Sequence, residues 1–288
     1  MENTILLPQK GFIYITGKIN SFISFFISRI NRKTIIFYEK EDEALLLKEE
    51  IEFFSKKECH VFPLFSEKVF EKEDQIKRIG FLTHLVEDVF FIGLFPYNGL
   101  THSLPDKSVI VKNTMTISFG DTLYQEDLID YLDKNGYEHV SFVRNVGEFA
   151  KRGSIIDVFT PTLQWPVRIE FLGDEVYSIR IFDPLTQRSK GEIEKVDITT
   201  ARITGSEKGT ILNYLEKNMV FVHNGINSFI QRINIIGEHK EEKEFIERFS
   251  GILKEGLNID ISGIKGDGEG IMISAMSNDD LKYLFETK

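Results

Sequence analysis

The stretch that decides the fold is Pro166-Val-Arg-Ile-Glu-Phe-Leu-Gly-Asp-Glu-Val-Tyr-Ser-Ile-Arg-Ile-Phe182. Before Gly173, the apolar Val167, Ile169 and Phe171 alternate with Arg168, Glu170 and Leu172. After it, Tyr177, Ile179 and Ile181 alternate with Val176, Ser178 and Arg180. A period of two puts each set on one face of a strand, so the stretch reads as a β-hairpin with one buried face. If both apolar sets face one core, Phe171 opposes Tyr177 and Ile169 opposes Ile179. That register leaves a three-residue loop, Gly173-Asp174-Glu175. The outer face then carries Leu172 and Val176 at the tip, with Arg168 opposite Arg180 behind them. Two cations opposed across strands repel, and Glu170, a diagonal neighbour of Arg180, offsets part of this. An apolar tip framed by arginines is a frequent interface composition, and an acidic partner surface relieves the repulsion. The bland alternative is a solvated hairpin face with an internal ion pair of little energetic value.

Upstream, Gly147-Glu-Phe-Ala-Lys-Arg-Gly-Ser-Ile-Ile-Asp-Val-Phe159 leads Arg152 into a strand beside the hairpin, with Glu148 and Asp157 as its candidate structural partners. Further β-type runs at 140–144, 154–159 and 193–199 crowd around the hairpin. Closely spaced strands with Gly-Asp and Pro punctuation indicate an antiparallel unit. An amphipathic helix over 122–134, ended by Asn135-Gly136, makes that unit α+β. Outside it, strands alternate with helices. Strands at 11–18, 33–38, 61–64, 89–94 and 108–111 are separated by helical patterns at 19–30, 41–54 and 71–87. The rhythm returns with helices at 210–217, 227–236, 238–254 and 279–285 and strands at 219–222 and 271–274. Alternating strands and helices imply a parallel sheet covered on both faces. The expected organisation is an α/β domain in two parts, 1–109 and 200–288, interrupted by an inserted α+β domain at 110–199.

Composition narrows the function classes. Net charge is −10 over 288 residues, which argues against tight DNA binding by this chain alone. The single Cys59 permits no internal disulfide and suits a reducing compartment. With no signal peptide and no apolar stretch long enough to span a bilayer, a cytoplasmic location and no membrane partner are expected. Gly17-Lys18 follows a strand, as in a phosphate-binding loop. However, Phe12 stands where the first glycine belongs, and Ile19 stands where Ser or Thr must hold magnesium. The reading is a degenerate P-loop-type domain. The six histidines do not pair at ligand spacing, and no nucleophile motif occurs. Neither cofactor, metal nor catalytic residue is expected.

The segments 147–159 and 166–189 resemble the UvrA-interaction domain shared by UvrB and the transcription-repair coupling factors. The residues carrying the resemblance are Gly147-Glu148-Phe149-Ala150, Arg152-Gly153, Ile155-Ile156-Asp157-Val158-Phe159, Arg168, Phe171, Gly173-Asp174-Glu175, Ser178-Ile179-Arg180, Phe182-Asp183 and Thr186-Gln187-Arg188-Ser189. The resemblance implies UvrA as partner. It places Arg152 and Arg168 on the family's UvrA-contacting arginines and Leu172 where the family has a contacting aromatic. Arg180 and Val176 complete the expected site. The degenerate Gly17-Lys18-Ile19 turn, and the short span between Phe62-Pro63 and the 71–87 helix, favour the coupling factors over UvrB. The function implied by the resemblance is that of a non-catalytic module recruiting UvrA in nucleotide excision repair. The full-length family member would also engage RNA polymerase and DNA through other domains, as an ATP-dependent DNA translocase. The alternative is a UvrB-like NTPase or DNA-binding repair protein.

Overall fold

The computed structural model describes residues 7–16, 21–64, 72–88, 90–202, 209–224, 240–263 and 271–274. The Gly17-Lys18-Ile19 turn and the helical patterns at 227–236 and 279–285 lie outside them. The chain opens with β1 (Gly11–Thr16), α1 (Phe22–Ser28), β2 (Thr34–Tyr38), α2 (Glu41–Ser55), β3 (His60–Val61), α3 (Lys72–Glu87) and β4 (Ile92–Pro96). Then come α4 (Lys107–Lys112), β5 (Thr114–Ser118), α5 (Gln125–Lys134), β6 (Glu138–His139), β7 (Glu148–Arg152) and β8 (Ile155–Val158). The hairpin strands β9 (Val167–Leu172) and β10 (Glu175–Phe182) lead to β11 (Ser189–Glu192) and β12 (Lys195–Thr199). The last described elements are β13 (Val220–His223), α6 (Lys240–Glu255), β14 (Leu257–Gly263) and β15 (Ile271–Ser274). The protein is therefore mixed α/β, with one parallel sheet and separate antiparallel strands.

These residues divide into two compact units. The first takes described residues within 1–65, 87–103 and 210–288. It holds a seven-stranded sheet in the order β15-β1-β14-β13-β2-β4-β3, and every recorded pairing in it is parallel. Strands β2, β4 and β13 are buried along their whole length, as a sheet covered on both faces requires. Ile13, Ile36, Leu94, Val220 and Ile259 pack with Phe22, Phe26 and Ile27 of α1 and with Ile51 of α2 in one core.

The second unit takes described residues within 66–86 and 104–209. Residues 72–86, expected in the α/β half, group with the antiparallel strands. The physical reason is close packing of α3 on the 160–162 turn. A Cβ on Gly80 would stand 2.4 Å from the Pro161 carbonyl oxygen, and His84 Nε2 lies 3.0 Å from the Thr162 carbonyl. The unit holds a six-stranded sheet in the order β11-β10-β9-β8-β7-β6 and a two-stranded sheet of β12 and β5. Leu128 and Leu132 of α5 pack on Ile156, Val167, Ile169 and Ile179 of the larger sheet, joined by Ile117 and Ile198 of the smaller one.

Three local expectations fail for identifiable reasons. The β-branched run 108–111 is helical because the Asp106 carboxylate accepts the Ser108 amide at 2.9 Å, an N-cap that outweighs the strand preference of Val and Ile. Residues 210–217 make only a 3-10 turn, Ile211–Asn213, where the Asn213 side chain takes the Thr210 amide at 3.1 Å. The run 140–144 is a loop, not a strand. The Glu148 carboxylate accepts the amides of Arg144 and Asn145 at 2.7 and 2.8 Å and bends the chain there.

Gly→Ala inside an ordinary helix is stabilising. At Gly80 the opposite is expected: G80A lowers unfolding free energy by about 1–3 kcal/mol, because backbone must move to admit the methyl group. Chemical denaturation reads the sign. A second expectation concerns the first unit, where burial pushes the His223 imidazole down to about 4, against the weaker upward pull of Asn258 and Asp260. A neutral, buried histidine contributes stability above its unfolded pKa of ~6.5 and loses it as pH falls toward the folded value. The urea midpoint of this unit should therefore drop between pH 6.5 and 4.5, and H223Q should flatten that slope.

Candidate functional site

The hairpin differs from the alternation-based register in one residue. Ile169 pairs with Ile179 and Arg168 with Arg180, as expected, but Phe171 opposes Val176 rather than Tyr177. The ladder shifts between Val176 and Ser178, so Tyr177 is the extra residue of a β-bulge. The loop is then Gly173-Asp174 alone, with Leu172 paired to Glu175 and Gly173 at φ 65°, a backbone conformation that glycine adopts without strain. The bulge reverses two side chains. Val176, expected at the outer tip, is fully buried, while Tyr177, expected in the core, is 59% exposed. The cause lies far away in sequence. The amide of Val176 donates to the Asp121 carbonyl and the amide of Gly120 to the Val176 carbonyl, at 2.9 and 2.8 Å. These bonds fix β10 at the tip and turn Val176 toward Phe171.

Behind the tip, facing positions form a row across the sheet: Asp157 on β8, Arg168 on β9, Arg180 on β10 and Glu192 on β11. The two arginines are thus flanked by carboxylates on either side. Asp157 is completely buried and accepts a forked pair of bonds from Arg168, Nε to Oδ1 at 2.8 Å and Nη2 to Oδ2 at 2.9 Å. Arg152, at the end of β7, donates to the same Oδ2. A buried carboxylate with three charge-assisted bonds is well compensated. The bonds to Asp157 and its charge also push the Arg168 guanidinium further above its ordinary range, against the effect of burial. The sequence offers Glu148 and Asp157 as partners of Arg152; Asp157 holds it, while Glu148 accepts the Arg144 and Asn145 amides. That Asp157 also holds Arg168 emerges only in the fold. Arg180 pairs with Glu170, the diagonal neighbour expected from the alternation.

Both clamped guanidiniums also lie over rings: Arg168 is 4.6 Å from the Phe182 centroid and Arg152 is 5.3 Å from that of Phe142. Phe182 belongs to a small second cluster with Val143, Ala150 and Phe159 on this outer side of the sheet. Gln187, which no pattern in the sequence singles out as a site residue, accepts from Arg168 Nη2 at 3.3 Å. It has φ 59° and is held by a bond from its amide to the Asp183 carbonyl at 2.7 Å. Leu172 is 67% exposed at the tip, and Phe142 and Leu185 are also exposed. Of the five expected residues, the structure brings Arg152 and Arg168 onto one carboxylate and sets Arg180 opposite Arg168. It leaves Leu172 outward and removes Val176 to the core.

Residues 115–203, which contain the hairpin and the clamp, match the family model of the UvrB interaction domain. Over that segment the chain is similar to this family. It is also similar to curated proteins named transcription-repair-coupling factor. It is 36% identical over 156 residues to those of Staphylococcus aureus strains bovine RF122 / ET3-1 and Mu50 / ATCC 700699. It is 33% identical over 156 residues to that of Staphylococcus haemolyticus strain JCSC1435. Each match covers 52% of this chain and 13% of the relative. Among the described residues, no helix is long and apolar enough to cross a membrane.

Removing the charge of Asp157 leaves two guanidiniums facing each other at a buried point. D157N should lower unfolding free energy by about 3–5 kcal/mol, and R152Q in the D157N background should recover part of that loss. An unchanged denaturation curve for D157N would show that the clamp is not structural.

Proposed function

We propose that this chain is a non-catalytic docking module of a transcription-repair coupling factor, and that its arginine face recruits UvrA for nucleotide excision repair. The observation that carries the reading is the pairing of two features within the matched interaction domain. Arg152 and Arg168 are held by a buried Asp157, and a large apolar side chain, Leu172, stands exposed on the same face of the hairpin. Pre-oriented arginines beside an exposed apolar anchor suit a protein partner with acidic groups around an apolar recess. Arg180 is a peripheral member of the face, since its charge is shared with Glu170.

In this reading the parallel-sheet unit, with α3 assigned to the other unit, is a degenerate P-loop-type domain drawn from the parts near 1–109 and 200–288, and the interaction domain is inserted between them at about 110–199. The unit serves as scaffold and takes no cofactor. RNA polymerase and DNA would be engaged, in a longer parent with ATP-dependent translocase activity, by other parts of that parent. The setting is the cytoplasm, where excision repair meets transcription.

Reversing both arginines is a poor test, because it would strand Asp157 without a cation and unfold the sheet. Leu172 and Arg152 are cleaner. L172D should weaken UvrA binding by about tenfold or more with no change in thermal midpoint. L172F, which supplies the family's aromatic, should tighten it. R152Q leaves the Arg168–Asp157 fork intact and should weaken binding several-fold. Calorimetric titration of UvrA with folded variants reads all three. Equal affinities for the wild type, L172D and R152Q would remove this face from the docking site.

A further inference from the structure

The bulge at Tyr177 has a second product. Next to the arginine face, where β10 leaves the 119–122 segment and meets β11, lies a groove of about 510 Å³. Its lining includes Phe119, Tyr177, Glu170, Arg180, Glu192 and Glu194. We propose that this groove receives a basic side chain, best an arginine, from the protein that docks on the arginine face. The proposal rests on the docking reading for its partner, and on the groove's own chemistry for its ligand.

Charge favours a cation here. Three carboxylates line the groove against one guanidinium. Arg180 is already engaged with Glu170. Glu192 and Glu194 make no ion pair with any described residue, although Glu192 stands opposite Arg180 in the ladder. Two carboxylates that line one groove without a counter-ion among the described residues favour an incoming cation. The backbone keeps them in place: the Ile193 amide donates to the Ile179 carbonyl at 3.0 Å, and the Phe119 amide to the Glu194 carbonyl at 2.8 Å. Glu192 ends β11 and Glu194 lies in the two-residue bend before β12, both held by these backbone bonds.

The rings favour a guanidinium over other cations. Phe119 and Tyr177 are both more than half exposed, which is unfavourable for free aromatic surface unless something covers it. A guanidinium stacks on such faces while its edge bonds carboxylates in a fork, which an ammonium does less well. Tyr177 reaches this groove only because the bulge turns it outward, and re-aiming a side chain is the usual consequence of a bulge. Basic and acidic recognition then sit side by side. Arginines on β7 and β9 take acidic groups of the partner, and carboxylates at β11 take a basic one, which fixes the register of the complex.

The test has two arms. In the first, UvrA is titrated with the E192K/E194K variant, whose substituted side chains are exposed and leave the core untouched. Binding about tenfold weaker, with an unchanged unfolding midpoint, is expected. If L172D and R152Q weaken binding but E192K/E194K does not, the docking face stands and the groove proposal falls. If only E192K/E194K weakens it, the groove stands and the arginine face falls. The second arm needs no UvrA. Adding N-acetyl-arginine amide to the wild-type chain should shift the amide resonances of Gly191 and Ile193. N-acetyl-glutamine amide should not, and neither should the arginine probe with Y177A. Equal shifts with both probes, or none with either, would overturn the proposal.

Discussion

The outer face of the six-stranded sheet depends on one buried carboxylate. Asp157 sits on β8 between a strand bearing Arg152 and a strand bearing Arg168, and it is fully removed from solvent. An ionised group in that position is tolerable only if cations and hydrogen-bond donors surround it. The two arginines meet that demand, and in doing so they tie β7, β8 and β9 together on the side away from the main core. The same bonds remove the conformational freedom of two long side chains before any partner arrives, which lowers the ordering cost of a later contact. Rings under both guanidiniums and Gln187 beside Arg168 add to this fixation. On the proposed docking reading, fold stability and readiness to dock share a single anchor.

Period-two alternation is enough to place the hairpin, to set Arg168 opposite Arg180 and to name Glu170 and Asp157 as acidic partners. It fails at Tyr177, because parity counting assumes a regular ladder. The bulge is imposed by hydrogen bonds between Val176 and residues 120–121, some fifty-five positions upstream, and nothing local to the hairpin encodes it. The same failure explains the misplacement of Val176 and the invisibility of the groove beside it. The parallel sheet is legible because buried strands such as 34–38 and 92–96 are almost purely apolar. The grouping of α3 is not, since Gly80 reads as a blemish in a helix until the turn at 160–162 is seen against it. Asp106 is a readable signal that the strand expectation overlooks: an acidic residue two positions before a serine-led apolar run is an N-cap pattern.

The relatives match about half of this chain, and the match takes up only 13% of their own length. Function therefore rests on the site. On the proposed docking reading, the face would hold acidic groups at Arg152 and Arg168, an apolar recess at Leu172, and a basic group between Tyr177 and Phe119. A site that reads both charge signs discriminates better than a purely basic one, because a wrong partner must fail at only one of the two positions.

The most direct test is hydroxyl-radical footprinting of the chain with and without saturating UvrA. Phe142 and Leu172 are exposed in the free protein. Strong protection of both on adding UvrA, with Leu46 and Phe53 on α2 oxidised equally in either state, is the predicted result. Unchanged oxidation of Phe142 and Leu172 in a complex shown by calorimetry to be saturated would contradict the account.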